Sequence, residues 1–230
     1  MATKMLRTLC ISLPALLLAY LGVVALWSLV VVDEVVAAYP PALYAATLSP
    51  QQQAILLKVV DPAFFAHRGV SLANGQGLTT ITSSLAREAF LFHADLPGFK
   101  GALQLFYRAV FNCCKKVDFG RDVMAVVLNG HLGKQQQLAL YAQEVYMGRA
   151  NGNQVKGFAQ ASGVYLSRPL ALASAAEFVG LVGMIKAPNL YNPLTHRPAY
   201  DQRAARVAAV VSGECVPDGW FDTSFEHCAR

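Results

Sequence analysis

The chain has 230 residues, 55% of them hydrophobic and 14% charged, with a mean hydropathy of +0.38. That balance excludes a disordered or wholly solvated protein, so the chain must bury a core, meet a membrane, or do both. Removing Lys4 and Arg7 from the 19 Lys and Arg leaves 17 against 14 Asp and Glu, a surplus of +3 that is too mild for nucleic-acid binding.

Residues 8–32, TLCISLPALLLAYLGVVALWSLVVV, run 25 positions without a charge, and 20 of them are apolar. A helix of about 20 apolar residues crosses a bilayer. Lys4 and Arg7 precede this stretch while Asp33 and Glu34 follow it, so the positive-inside rule sets the amino terminus in the cytoplasm and the rest outside. The small residues Ala37 and Ala38 support a competing reading as a cleaved signal peptide. Length favours a retained anchor, because signal cores span only about 7–15 residues. The 198 residues after position 32 suit one domain. The boundaries expected are a cytoplasmic tail at 1–7, the anchor at 8–32, a linker at 33–48, a domain at 49–212 and a carboxy-terminal tail at 213–230.

Beyond the anchor, apolar residues recur at helical spacing and no sustained strand alternation is present, so the expected fold class is all-α. Ser49 and Pro50 form an N-cap and first-turn pair opening a helix over 50–59. The loop ANGQG at 73–77 leads to LTTITSSLAREAFLF, whose Thr79 and Thr80 can cap the next helix. Helices follow at 101–116, 121–132 and 134–147, the last two flanking a GHLGK turn with Gly130 and Gly133. A polar loop at 149–157 precedes helices at 157–166, 171–185 and 198–212. Cys10 falls in the span, and Cys113 and Cys114 are neighbours on a predicted helix, pointing about 100° apart. Cys215 and Cys228 sit in a polar tail, where they are either a disulfide of an oxidising compartment or two free thiols.

Three stretches concentrate chemistry. DPAFFAHRGV contains Asp61, His67 and Gly69, which suit a helix end with a hydrogen-bonded histidine as well as they suit a site. GLTTITSSLAR gathers hydroxyls, free backbone N–H groups and a cation, which suit a phosphate or ordinary capping. SAAEFVGLVGMIKAPNLYNP, at 174–193, combines close-packing small residues with Lys186 at a helix end and Pro188 beyond it.

In this order behind an apolar amino-terminal segment, they resemble the peptidoglycan glycosyltransferase domain of bifunctional penicillin-binding proteins and monofunctional transglycosylases. The resemblance covers 49–211. The family's Glu-Asp-x-x-Phe-x-x-His-x-Gly motif is met by VDPAFFAHRG at 60–69, and its Gly-x-Ser-Thr-Ile-Thr-Gln-Gln-x-x-Lys motif by GLTTITSSLAR at 77–87. Its Tyr-Leu-Asn-x-x-Tyr-x-Gly stretch is met by YAQEVYMG at 141–148. The most specific match is AEFVGLVGMIKAPNLYNP, close to Ala-Glu-Ala-Ala-x-Leu-Ala-Gly-x-x-Lys-Ala-Pro-x-x-Tyr-Asn-Pro. The resemblance implies a lysozyme-like helical fold with a membrane-dipping lobe at the bacterial cytoplasmic (inner) membrane. Its substrate would be lipid II, polymerised into glycan strands outside that membrane. In that family a carboxylate deprotonates the attacking hydroxyl while basic groups, with or without a divalent cation, neutralise the leaving pyrophosphate.

The departures fall on the acids. Val60 stands at the position of the family's catalytic Glu, and counting back twelve residues from Tyr141 puts Asn129 at that of the second. Ser83 and Ser84 replace the Gln pair, Gln143 replaces the Asn of the third stretch, and Asp118 and Arg121 stand in unexpected places. Loss of a general base costs about 10²–10⁴-fold. Asp61 is the remaining carboxylate of the first motif and the candidate catalytic residue, and an alignment shift within 88–130 would bring Asp118 or Asp122 into the cleft. His67, Thr80, Thr82, Arg87, Lys186 and Arg206 are the candidate substrate-binding residues, with Arg203 close to the family's final Arg-containing motif. The resemblance implies no protein metal site, though a divalent cation at the pyrophosphate is compatible with it. The partners it implies are lipid II or nascent glycan, the membrane and other wall-synthesis proteins. Two functions stay open, an enzyme with an unconventional base and a non-catalytic relative that binds lipid II, glycan or wall-synthesis proteins. Glycan hydrolysis is weaker because it needs a well-placed carboxylic acid. No Ser-x-x-Lys motif with its partners accompanies the domain, so neither transpeptidation nor penicillin binding is expected.

Overall fold

The computed structural model describes residues 2–45, 47–111 and 118–228. Cys113 and Cys114, and the part of the predicted 101–116 helix from 112 onward, lie outside the described residues. The described chain is all-α apart from one short hairpin. Its first helix, α1 (Ala2–Ala37), contains one stretch, Leu13–Ala37, long and apolar enough to cross a membrane. No helix breaker stands between Gly22 and Pro40, so α1 runs past the expected end at 32 and takes in the start of the predicted linker.

Capping side chains set the other boundaries. The Ser49 hydroxyl accepts from the Gln52 N–H and the Gln52 side chain accepts from the Ser49 N–H, opening α2 (Pro50–Val60). Thr80 rather than Thr79 caps α3 (Ile81–Glu88), and Ser83 supplies the reciprocal bond. α3 continues into a π turn, Ala89–His93, whose freed carbonyls are satisfied from α4 (Gly98–Phe111). There Gln104 donates to the Phe90 and Ala94 oxygens at 2.8 Å each, and Arg108 donates to the Leu91 oxygen. α5 (Phe119–His131) and α6 (Lys134–Glu144) follow.

The polar stretch predicted as a loop is instead an antiparallel hairpin of β1 (Tyr146–Ala150) and β2 (Asn153–Lys156), with Ala150 opposite Asn153. Its turn is Asn151-Gly152, with φ of 50° and 82°, the pairing that a two-residue hairpin demands. The predicted 134–147 helix therefore stops at Glu144. α7 (Gly157–Ala161) passes into a second π turn, Ser162–Leu166, and α8 (Ala175–Met184) is capped by Ser174 with Glu177. α9 (Arg197–Ser212) packs along α8, where Gly180 leaves the space that Tyr200 fills.

Two cores meet across α3 and α6. One gathers Leu56, Phe64, Phe158, Phe178, Leu181 and Val207 between α2, α7, α8 and α9. The other joins Val24, Trp27, Val31 and Val35 of α1 to Phe90, Tyr107, Met124 and Leu128. Ile81 of α3 belongs to the first core and Leu85, one turn on, to the second. After α9, Gly213 takes φ +87° as the C-cap, and the tail turns back to a disulfide between Cys215 and Cys228, Cα atoms 5.4 Å apart. Of the two readings open for these cysteines, the bridge is the one formed. His227 lies beside both sulfurs, but bridged cysteines carry no thiolate to ligate a metal.

Candidate functional site

The first motif closes α2 with a buried hub. Asp61 is the C-cap residue of α2 and is 0% exposed. Its two oxygens lie 3.1 Å from His67 Nε2, and Oδ2 accepts the Ile81 N–H at 2.9 Å. The Gly69 N–H donates to His67 Nδ1 at 3.0 Å, so the ring proton resides on Nε2 and is donated to Asp61. Thr80 Oγ1 donates to the Gly69 oxygen at 2.6 Å, and Thr82 Oγ1 donates to Gln137 Oε1 at 2.7 Å. Lys134, at the start of α6, donates to Thr82 Oγ1 and lies over the Phe64 ring. Burial pushes the Asp61 carboxyl above its ordinary range, against the lowering effect of the Ile81 N–H, His67 and Lys134. The Lys134 ammonium is pushed down by burial and raised by Asp61.

Outside this hub lies a cleft of about 610 Å³. Its walls include Val59 and Val60 of α2, the 75–80 segment, Ser84, Tyr141, the end of α8 with Ile185 and Lys186, and Arg203 of α9. Phe221 and Thr223 of the tail complete it. Lys186 Nζ donates to Thr223 Oγ1. Arg203 is buried, pairs with no carboxylate among the described residues, and donates to the Gly183 and Ser224 oxygens, with its charge over the Tyr191 and Phe225 rings. Burial lowers its pKa to about 10, so it stays cationic at neutral pH. Among the described residues lining this cleft there is no Asp or Glu. That donor set does not fit a divalent cation held by the protein, since such ions are held through carboxylate oxygens.

Of the candidate residues, Thr80 and Lys186 line the cleft. Asp61, His67 and Thr82 do not, because their polar atoms are spent on one another and on Ile81, Gln137 and Lys134 behind the wall. Arg87 stacks over Phe92 and Arg206 sits on α9, neither of them in the lining. Val60, at the vacated acidic position, does face the cleft. Asn129 does not; it accepts from Gln137 Nε2 at 3.3 Å and ties α5 to α6. The residue of α5 that reaches the cleft wall is Arg121, two turns earlier, which donates to the Leu78 oxygen at 2.9 Å and to Thr79 Oγ1 at 3.2 Å. Asp118 and Asp122 are likewise outside the lining: Asp118 caps α5 by accepting the Arg121 N–H, and Asp122 pairs with the Arg121 guanidinium at 2.9 Å. Burial raises both carboxyls above their ordinary range. Sequence reasoning missed Lys134, Gln137, Gln76 and the tail residues, since none belongs to a motif and only folding brings them in.

Fold and cleft together define an all-α domain with an outward cationic groove and a sealed acidic hub, behind one long apolar helix. The family described as Transglycosylase matches residues 41–212, and the chain belongs to it. It is 38% identical over 152 residues to penicillin-binding protein 1B of Haemophilus influenzae, covering 60% of this chain and 17% of that one. To penicillin-binding protein 1B of Buchnera aphidicola it is 31% identical over 152 residues, covering 60% and 18%. To penicillin-binding protein 1B of Escherichia coli it is 30% identical over 152 residues, covering 60% and 16%. The matched region thus spans less than a fifth of the length of these relatives.

Proposed function

We propose that this protein binds lipid II or nascent glycan at the outer face of the bacterial cytoplasmic membrane, held there by α1 as a single-pass anchor, and takes part in wall synthesis as a binding or regulatory relative of the transglycosylases. The observation that carries this reading is a cleft lined by Lys186, Arg203 and hydroxyls, with no carboxylate among the described residues of its lining. Such a lining attracts a pyrophosphate and offers nothing to deprotonate a sugar hydroxyl. Val60 in the cleft wall cannot accept a proton, and Asp61 behind it is enclosed and already hydrogen-bonded.

A second reading, a slow enzyme with a displaced base, draws on one specific observation. Asp122 is held by the same Arg121 that reaches Thr79 in the cleft wall, and burial raises its carboxyl above the ordinary range against the lowering effect of the Arg121 guanidinium. Labelled lipid II presented to the full-length protein in detergent separates the two. Saturable binding without glycan polymer is the expected result. Polymer that disappears in Asp122→Asn would overturn the binding-only reading in favour of the second, and absence of any lipid II binding would overturn both.

A further inference from the structure

The family match ends at residue 212, yet the chain beyond it supplies one wall of the cleft. That wall is a strap tied to the 73–77 loop and to both cations of the cleft. On the loop, the Gly75 N–H donates to the Gly219 oxygen at 3.0 Å and the Gly77 N–H to the Trp220 oxygen at 2.9 Å. The Trp220 indole N–H returns a bond to the Gly77 oxygen at 3.3 Å. At the cations, Lys186 donates to Thr223 Oγ1, while Arg203 donates to the Ser224 oxygen at 2.8 Å and stacks on the Phe225 ring. Asp222 stiffens the strap from within, its oxygens accepting the Asp218 and Phe225 N–H groups at 2.9 and 3.0 Å. All of these contacts fall between Cys215 and Cys228, so the disulfide ties both ends of the strap to the end of α9.

We propose that residues 216–225 are an autoinhibitory strap: closed by the bridge, they compete with an anionic ligand for Lys186 and Arg203, and a dithiol reductant opens them. The bridge is placed for such an exchange. Cys215 and Cys228 are half-buried, and the exposed His227 lies beside both, its Nε2 3.4 Å from one sulfur and 3.6 Å from the other, with Nδ1 3.4 Å from Asp222 Oδ2. Whichever sulfur departs as a thiolate meets that imidazole, a neighbour that eases its departure. In the exchange a thiolate of the dithiol attacks one bridge sulfur, the S–S bond breaks, and the other sulfur leaves as a thiolate and takes up a proton. The second thiol of the reductant then attacks the mixed disulfide, so the reductant ends as a disulfide and Cys215 and Cys228 as two thiols, with two electrons and two protons passed. Without the bridge the strap stays tied to α9 through Cys215 alone, and the lost loop closure raises the fraction of time it stands off the cations. The apparent affinity of an anionic ligand rises with that fraction. The strap rests on the binding reading above and adds to it a control of the same site.

The test compares the full-length protein in detergent in three forms: oxidised, reduced with dithiothreitol and alkylated, and the double variant Cys215→Ser, Cys228→Ser. Each is titrated with inorganic pyrophosphate and with lipid II, and hydrogen exchange is followed at the Gly75 and Gly77 amides, whose acceptors lie on the strap. Both bridgeless forms are expected to exchange these amides faster and to bind pyrophosphate and lipid II about tenfold more tightly than the oxidised form. Gly75→Ala supplies the same opening with the bridge intact, because a Cβ there would lie 2.7 Å from the Pro217 ring, and it decides the matter alone if circular dichroism shows the bridgeless forms unfolded. His227→Ala should slow reduction by dithiothreitol about tenfold and leave oxidised binding unchanged; an unchanged rate would overturn the part given to the imidazole. Unchanged exchange at Gly75 and Gly77 would overturn the strap, and so would weaker pyrophosphate binding on opening it, which would make the tail a supporting wall. Lipid II binding equal in all forms would sink the strap alone. Bridge-dependent exchange and pyrophosphate binding without lipid II binding in any form would sink the reading beneath it and leave the strap standing.

Discussion

The hub around Asp61 and the cleft around Lys186 are separated by one layer of wall and behave as opposites. In the hub, acid, imidazole, hydroxyl and amide groups are enclosed and matched donor to acceptor: Asp61 to His67 and Ile81, Thr80 to Gly69, Thr82 to Gln137. In the cleft, exposed Lys186, buried Arg203, several hydroxyls and the exposed Phe221 ring share the lining, with no carboxylate among the described residues. The difference teaches that part of a motif can be architectural. The Asp and His of the first motif fasten the end of α2 to the start of α3, and this requirement stands whether or not a base occupies position 60.

Each side of that contrast is open to attack. Asp61→Ala leaves the Ile81 N–H and the His67 ring N–H without an acceptor inside the wall, and is expected to destabilise the fold by about 3 kcal/mol in urea unfolding. A loss below about 0.5 kcal/mol would mean that the hub is not structural. Thr80→Ala removes both the α3 cap and the bond to Gly69, with an expected loss of about 1–2 kcal/mol. Lys186→Met should change stability by less than about 0.5 kcal/mol, as its side chain is exposed, while weakening lipid II binding about tenfold. If binding held and stability fell, the roles assigned to hub and cleft would be exchanged.

The smallest effect is the pH dependence of Asp61. Its carboxyl is raised in the folded chain above the ordinary value of 3.8 because burial outweighs its hydrogen bonds. A group raised on folding contributes stability that is present below its unfolded pKa and lost as pH climbs through its folded one. The wild type should therefore lose stability relative to Asp61→Asn as pH rises above the ordinary value of 3.8. A gap between the two that widens in favour of the wild type as pH rises would show that the hydrogen bonds, and not burial, dominate.

Much of the helical frame was legible from local signals. Ser49-Pro50, the capping threonines and the small residues of α8 each act through neighbours within a turn or through simple steric fit, so their meaning survives without the fold. The hairpin was missed although Asn151-Gly152 announced it, because two strands of five and four residues carry too little alternation to outweigh the surrounding polarity. The site was less legible than the frame. Which face of a wall Asp61 or Thr82 occupies is set by α6, through Lys134 and Gln137, more than fifty positions away in the chain. Asn129 was misplaced because the count from Tyr141 assumed a fixed spacing, whereas α5 meets the cleft two turns earlier, at Arg121.

Along α1, Val24, Trp27, Val31 and Val35 lie on one stripe within the second core, and the Trp27 indole N–H, Glu34 and Asp33 are bound to Lys100 and His131 on α4 and α5. Over that stretch of about 16 Å, at 1.5 Å per residue, helix and domain form one body with no joint between them. The opposite face keeps Leu26, Leu29 and Val30 exposed. Under the proposed anchoring, α1 would be a post and not a leash: the tilt and depth of the helix in a bilayer would be handed to the domain, and the height of the cleft above that bilayer would be fixed by packing instead of being searched by diffusion.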